Sequence, residues 1–202
     1  DAAQAVNVHT AYVMQDARSQ LSQTTLGFGG RLCRVETNVL QQGAGARALI
    51  NGAYLLNEKN HLDNTTNVGI EAEGCATEEL YKGVLAGQAR GVFQGKFHVA
   101  RAAQQTDARM AHNALLLSET AEVNAKPELE IYADNVQCAH GNTAGALDED
   151  ALFYMRQRGL SAAEARALLV EAFVTEALSA VENIALHEQL MAKVRSFMEA
   201  QR

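Results

Sequence analysis

A cysteine and a histidine with one residue between them, Cys138 and His140, are the strongest candidates for chemistry. On a β-strand, residues two apart point to the same face, so the thiol and the imidazole would lie within reach of one metal ion or one partner surface. A metal site needs three or four ligands, and this pair supplies two. The spacing alone favours a structural role, with Cys138 as a small buried residue that continues the row of Val136.

The segment before this pair has the pattern of a strand. Apolar and polar residues alternate from residue 128 to 133, and Asp134-Asn135 then predicts a turn, because both side chains can bond their own backbone. Glu128 and Glu130 fall on one face of the strand and are the nearest approach in the chain to a paired-carboxylate site. Alternating glutamates on a solvated face are far commoner than catalytic pairs, so we expect them to be exposed surface residues.

The first 145 residues predict many short strands separated by polar bends, with no helical segment between them. Residues 33–39 alternate, and residues 48–56 form an almost wholly apolar strand of the kind that is buried on both faces. Residues 61–67 are rich in turn formers and predict a polar bend. The strands recur at no strict period, so a sandwich, a barrel and a β-helix all remain open from the pattern.

After Gly145 the composition changes to alanine, leucine and glutamate, which predicts helices. Asp148 is a good N-cap, and Ser161 with Glu164 forms a capping box that opens a second helix. A third helix follows a break near Glu182-Asn183. Periodicity predicts burial of Leu152, Phe153 and Met155, in helices that cap the last strands.

Composition excludes several classes of protein. The 202 residues carry a net charge of −7, with 24 acidic against 17 basic residues, which argues against a nucleic-acid partner. Three widely spaced cysteines form neither a disulfide framework nor a Cys-x-x-Cys signature, so a reducing compartment is expected. No signal peptide or membrane-spanning run is present, so no membrane association is expected. The start at Asp1 rather than at methionine suggests that the chain is a fragment or a short member of its family.

The segment around Cys138 and His140 resembles the C-terminal part of the SufD family, a component of the SUF iron–sulfur assembly machinery. The resembling residues are Lys126-Pro-Glu-Leu-Glu-Ile-Tyr-Ala-Asp-Asn-Val136, Cys138-Ala-His-Gly141, Thr143, Gly145, Leu147-Asp-Glu149 and Leu152-Phe-Tyr-Met-Arg-Gln-Arg-Gly159. Glu79-Leu-Tyr-Lys-Gly83, Gly91-Val-Phe-Gln-Gly95 and Thr106-Asp107 resemble the family's β-helix coils. The resemblance implies a mainly β fold, a right-handed parallel β-helix over residues 1–146, followed by an α-helical region over residues 147–202.

The resemblance also implies a function and a set of partners. It predicts a non-catalytic, cytoplasmic scaffold subunit that pairs with SufB through the ends of the two β-helices and binds the SufC ATPase. No cofactor is expected to be tightly bound, although a transient iron–sulfur cluster would form at the SufB–SufD interface. His140 is the first candidate residue for that interface and for iron, and Cys138 is the weaker one. The candidates for the SufC contact are Leu152, Phe153, Tyr154, Arg156 and Arg158.

Two alternatives accompany this prediction. In isolation the chain could pair with a second copy of itself, because an open end coil invites edge pairing. The competing function is a carbohydrate-active enzyme, since many right-handed β-helices are polysaccharide lyases or hydrolases that use charged groups along an exposed strand face. No residue pattern in the sequence matches such an enzyme beyond the two glutamates.

Overall fold

The computed structural model describes residues 4–200, which form ten β-strands followed by three α-helices. The strands are β1 Val6–Gln15, β2 Gln20–Gly27, β3 Leu32–Gln41, β4 Arg47–Leu56, β5 His61–Ile70, β6 Ala76–Leu85, β7 Arg90–Val99, β8 Asp107–Leu116, β9 Glu122–Ile131 and β10 Gln137–Gly145. The helices are α1 Glu149–Gln157, α2 Ala162–Leu178 and α3 Ile184–Glu199.

The strands form a parallel β-helix of five coils with two strands in each coil. Odd-numbered strands make one sheet in the order β1-β3-β5-β7-β9, and even-numbered strands make the other in the order β10-β8-β6-β4-β2. Register partners are 26 residues apart for Val6 and Leu32 but 32 apart for Arg90 and Glu122. The β-helix expected from the resemblance is therefore confirmed, and its uneven coil length explains why the sequence shows no strict period.

Alternate residues of each strand point between the two sheets and fill a narrow interior. The largest interior side chains include Tyr54, Tyr81 and Phe93, all at most 1% exposed. Glycines make room for them: a Cβ at Gly52 would lie 2.2 Å from the Tyr81 ring, and one at Gly83 would lie 2.3 Å from the Tyr54 ring. Ring and glycine are thus matched across adjacent strands.

The polar bend predicted over residues 61–67 is wrong, because these residues belong to strand β5. Asn64 and Thr66 point into the interior and are 2% and 1% exposed. Thr66 Oγ1 donates a hydrogen bond to Glu79 Oε1 across the interior at 2.6 Å. Polar residues within the interior row interrupt the apolar alternation, and turn-forming residue types then resemble a bend.

The predicted helix caps are confirmed. The Asp148 carboxylate accepts from the first-turn N–H groups of α1, and Ser161 and Glu164 form a reciprocal capping box at α2. Asn183 caps α3 by accepting from the N–H of Leu186 at 3.0 Å. None of the helices between residues 4 and 200 is long and apolar enough to cross a bilayer.

The sequence suggested that the helices cap the last coil. They pack instead on the outer face of the even-numbered sheet. Helix α2 lies over β4 and β6. The contact is apolar and includes Ala53, Leu55 and Val84 of the sheet and Val170, Val174, Ala177 and Leu178 of α2. These outward apolar residues of β4 explain why that strand is buried on both faces. The last coil is left open.

Candidate functional site

The candidate site is the end coil of the solenoid, formed by β9 and β10. Each of these strands has a neighbour on one side only, so each presents a row of unpaired backbone groups on the other side. Almost every residue of β10 is exposed. An unpaired parallel edge of this length is a ready template for pairing with another chain.

Cys138 and His140 lie next to each other on the interior-facing side of β10. Their register partners on β8 are Ala108 and Met110, both of which point into the core. Because no coil follows β10, the interior row of this strand is open to the outside and His140 is exposed. The structure therefore brings the thiol and the imidazole together on one face, as strand alternation predicted.

Cys138 is half-buried and packs against the interior core. Burial raises the pKa of its thiol, and a backbone hydrogen bond from Ala108 acts in the opposite direction without cancelling it. The thiol is thus protonated at neutral pH and must lose its proton before it can bind a metal. This makes Cys138 a weaker ligand than the exposed imidazole of His140.

A hydrogen-bond chain behind the site holds β10 to the interior. His112 Nδ1 lies 2.7 Å from Asn142 Oδ1, and His112 Nε2 lies 2.8 Å from the Tyr54 hydroxyl. Because an amide oxygen can only accept, Nδ1 carries the ring hydrogen and Tyr54 donates to Nε2. Burial lowers the pKa of His112, which keeps the ring neutral. No local pattern in the sequence points to Asn142, the next interior-facing residue after His140.

The described part of the end coil brings together two side chains that could bind a metal, Cys138 and His140. Among residues 4–200 no group of three or more His, Cys, Asp or Glu side chains is arranged around a common metal position. Cys138 and His140 can contribute two donor atoms, and an iron site needs more. Iron at this face would therefore need ligands beyond these two side chains.

Glu128 and Glu130 lie on the outer face of β9 and are paired with cations. Glu130 is 2.7 Å from Lys96 Nζ and 3.2 Å from His98 Nδ1, and Glu128 is 2.9 Å from Lys126 Nζ. Hydrogen bonds from Lys96 and His98 lower the pKa of Glu130. A glycosidase acid needs a raised pKa, so the geometry does not favour a catalytic carboxylate pair.

The helical candidates divide into one core residue and an exposed group. Leu152 is 9% exposed and packs inside, so its side chain is not available to a partner. Phe153, for which periodicity predicted burial, is 63% exposed, and Tyr154 is 58% exposed. The Arg158 guanidinium lies 4.6 Å from the centre of the Tyr154 ring, and Arg156 is exposed beside it. Leu152 is the buried residue of helix α1, and Phe153 and Tyr154 lie on its exposed side.

Comparison with known proteins identifies the family. The family described as "SUF system FeS cluster assembly, SufBD core domain" matches residues 1–173. The chain belongs to the SufBD family. The resemblance to SufD in the sequence is thus confirmed.

Named relatives agree with this assignment. The chain is 32% identical over 186 residues to the iron–sulfur cluster assembly protein SufD of Escherichia coli, covering 92% of the chain and 44% of that protein. It is 33% identical over 190 residues to a SufBD family protein of Synechocystis, covering 94% and 42%. It is 32% identical over 195 residues to the chloroplastic protein ABCI7 of Arabidopsis thaliana, covering 95% and 41%. The chain spans less than half the length of these relatives.

Proposed function

We propose that this SufBD-family chain is a non-catalytic, cytoplasmic scaffold subunit that pairs with SufB through its open end coil and binds the SufC ATPase through its helical region. The observation that carries the proposal is the uncovered last coil, with two unpaired strand edges and His140 exposed between them. A second solenoid of the same family could continue both sheets across this edge. The pairing would then place His140 at the junction of two chains.

The end coil offers a partner more than backbone hydrogen bonds. The interior-facing row of β9 consists of Val123, Ala125, Pro127, Leu129 and Ile131, which are half-buried to exposed in the isolated chain. Burial of this row against a second solenoid would remove apolar surface from water at about 25 cal/mol per Å². The same contact would enclose Cys138 and His140 in a less hydrated environment.

The proposed chemistry treats the iron–sulfur cluster as the product that is assembled, not as a resident cofactor. The imidazole of His140 can donate a nitrogen lone pair to iron, and the Cys138 thiol can bind iron as a thiolate once it has lost its proton. Two donors from this chain leave the remaining positions for SufB or for incoming sulfide. The site would then hold a nascent cluster loosely enough for release.

Replacing His140 with alanine should impair cluster formation without disturbing the fold. His140 is exposed and has no partner in the core, so the melting temperature and the yield of the complex with SufB and SufC should stay close to those of the wild type. Iron and sulfide bound per purified complex should fall by about an order of magnitude, because alanine offers iron no ligand. Cys138→Ala should lower the cluster content less.

Normal cluster content in the His140→Ala complex would reject His140 as a ligand. A loss of cluster in proportion to a loss of complex would instead show a structural role. If the wild-type chain forms no complex with SufB, the proposed pairing itself is wrong.

The proposed SufC contact is best tested with a surface substitution rather than with a deletion. Removing residues 147–202 would uncover the apolar outer faces of β4 and β6, and the truncated solenoid would aggregate. We expect Phe153→Ala, combined with Tyr154→Ala, to weaken SufC binding by about tenfold or more, since exposed aromatics dominate the energetics of such contacts. Binding would be measured by calorimetry with purified SufC.

The matched control is Tyr12→Ala, which removes another exposed aromatic, 80% exposed on β1, from a distant part of the solenoid. It should leave SufC affinity within about twofold of the wild type. Equal affinities for the control and for the α1 double variant would show that α1 is not the SufC contact.

A further inference from the structure

Asn142 is the third polar side chain in the open interior-facing row of β10, after Cys138 and His140. The three side chains lie on one face of the strand, at intervals of about 6.7 Å along it. The thiol and the imidazole are the proposed iron ligands. The amide of Asn142 can present either its oxygen or its N–H groups to the same open face, and buried neighbours decide which of the two it presents.

Deep in the interior, Tyr54 decides which nitrogen of His112 carries the ring hydrogen. Tyr54 is fully buried, and among the described residues its hydroxyl has one hydrogen-bond partner, His112 Nε2, at 2.8 Å. If Nε2 carried the hydrogen, Tyr54 would accept it, and its own O–H group would be buried without an acceptor, at a cost in stability. Tyr54 therefore donates to Nε2, and the ring hydrogen lies on Nδ1.

The imidazole in turn decides the orientation of the Asn142 amide. His112 Nδ1 donates to Asn142 Oδ1 at 2.7 Å, so the amide oxygen faces the interior. The His112 ring is held in place because it is fully buried and stacks on Phe93, with ring centres 4.7 Å apart and an angle of 9° between the planes. Asn142 Nδ2 is then directed away from His112, and no described residue accepts its hydrogens.

Hydrogen-bond donors are scarce in the open rows of the end coil. The interior-facing row of β9 is apolar throughout, and that of β10 ends with Ala144. Neither row contains a lysine or an arginine. Once Cys138 has bound iron as a thiolate, His140 and Asn142 are the side chains of these rows that can still donate. Sulfur atoms bound to iron carry negative charge, and hydrogen bonds to them help to set the reduction potential of a cluster.

We propose that the Nδ2 group of Asn142 donates a hydrogen bond to a sulfur atom of the cluster that forms beside His140. The inference rests on the proposed function, because it takes the cluster to form at this face. Tyr54 and His112 are positioning residues that act through Asn142: they hold its oxygen inward and keep its N–H groups at the open face. Three coils of the solenoid thus contribute to one hydrogen-bond donor.

The first test uses the purified protein alone. The ¹⁵N and ¹H NMR signals of the His112 ring report which of its nitrogens carries hydrogen, and we expect Nδ1 to be protonated and Nε2 to be bare. A hydrogen on Nε2 would instead require Asn142 to turn its amide around and donate to Nδ1, with the oxygen outward. That result would overturn the inference whether or not a cluster forms at this face.

The second test compares two substitutions of Asn142 in the complex with SufB, loaded with iron and sulfide. Asn142→Asp keeps the oxygen that accepts from His112 and loses the N–H donors, whereas Asn142→Leu loses both. For both variants we expect a chelator to remove the cluster about tenfold faster than from the wild type, with a lower reduction potential for Asn142→Asp. Ala144→Asp is the control for the added charge on the same row, and it should change the rate by no more than about threefold.

The outcomes separate the inference from the proposed function. If Asn142 serves only to hold His112, Asn142→Asp will retain the cluster as the wild type does, which rejects the inference and leaves the proposed function intact. A weaker affinity of Asn142→Asp for SufB, with cluster retention unchanged, would assign the amide to the partner chain and also reject the inference. A wild-type complex that does not form, or that holds no cluster, rejects the proposed function and the inference together.

Discussion

Gly83→Ala is expected to lower the free energy of unfolding by about 3–5 kcal/mol. The new Cβ would lie 2.3 Å from Tyr54 Cζ and 2.4 Å from its hydroxyl oxygen. Tyr54 is fully buried, so the ring can move only by disturbing the interior. Its displacement would also break the hydrogen bond to His112, which leaves a buried ring nitrogen without a donor.

Urea denaturation of the wild type and the variant would measure this effect. Gly145→Ala is the matched control, because it adds the same methyl group to a strand glycine whose Cβ would meet no atom within 4 Å. The control should be neutral or stabilising by about 0.5 kcal/mol. A Gly83→Ala variant that unfolds within about 1 kcal/mol of the wild type would show that the Tyr54 ring has room to move.

The same packing shows which parts of the fold the sequence could predict. Strand β9, whose interior row is apolar, is visible as period-two alternation, and β4 is visible as an apolar run of the kind buried on both faces. Strand β5 shows no such pattern, because Asn64 and Thr66 lie in its interior row. The pairing of Gly83 with Tyr54 lies between residues on neighbouring strands of one sheet, and a coil length that varies hides that register from any local pattern.

The helices show the same division between local and long-range information. Their caps depend on side chains within three residues, such as Ser161 and Glu164, and were predicted correctly. Their position on the sheet depends on outward-facing Leu55 and Val84, which precede most of α2 by more than 80 residues. The sequence did not predict that position. Within the candidate site, the alternation of side chains along a strand is enough to predict that Cys138 and His140 share a face. The chain from Asn142 through His112 to Tyr54 joins three coils and has no local signal.

Glu79 has the second large predicted effect, and it concerns pH. Its carboxyl is 2% exposed, and Oε2 has no hydrogen-bond partner among the described residues. Burial raises its pKa from 4.5 to about 8, and the hydrogen bond from Thr66 opposes only part of that shift. The groups that face it are Thr66 on β5 and Tyr81 on its own strand, and neither supplies a positive charge.

The sign of the effect follows from proton binding. Below pH 4.5 both the folded and the unfolded carboxyl are protonated, so Glu79 costs no stability there. Between pH 4.5 and about 8 the unfolded chain releases the proton while the folded chain keeps it, so stability falls by about 1.4 kcal/mol per pH unit. The accumulated loss at pH 8 is on the order of 3–5 kcal/mol.

Glu79→Gln should therefore stabilise the protein, and increasingly so as the pH rises. The amide is neutral at every pH and can still accept from Thr66, so the difference in unfolding free energy between variant and wild type should grow from pH 5 to pH 8 by several kcal/mol. Denaturation curves across that range would measure it, with Glu78→Gln on the exposed outer face as the control for the loss of one charge. Parallel stability curves for Glu79→Gln and the wild type would show that the folded carboxyl is already ionised at pH 5. In that case a donor or cation inside the solenoid must stabilise it, because an unpaired buried carboxylate could not persist there.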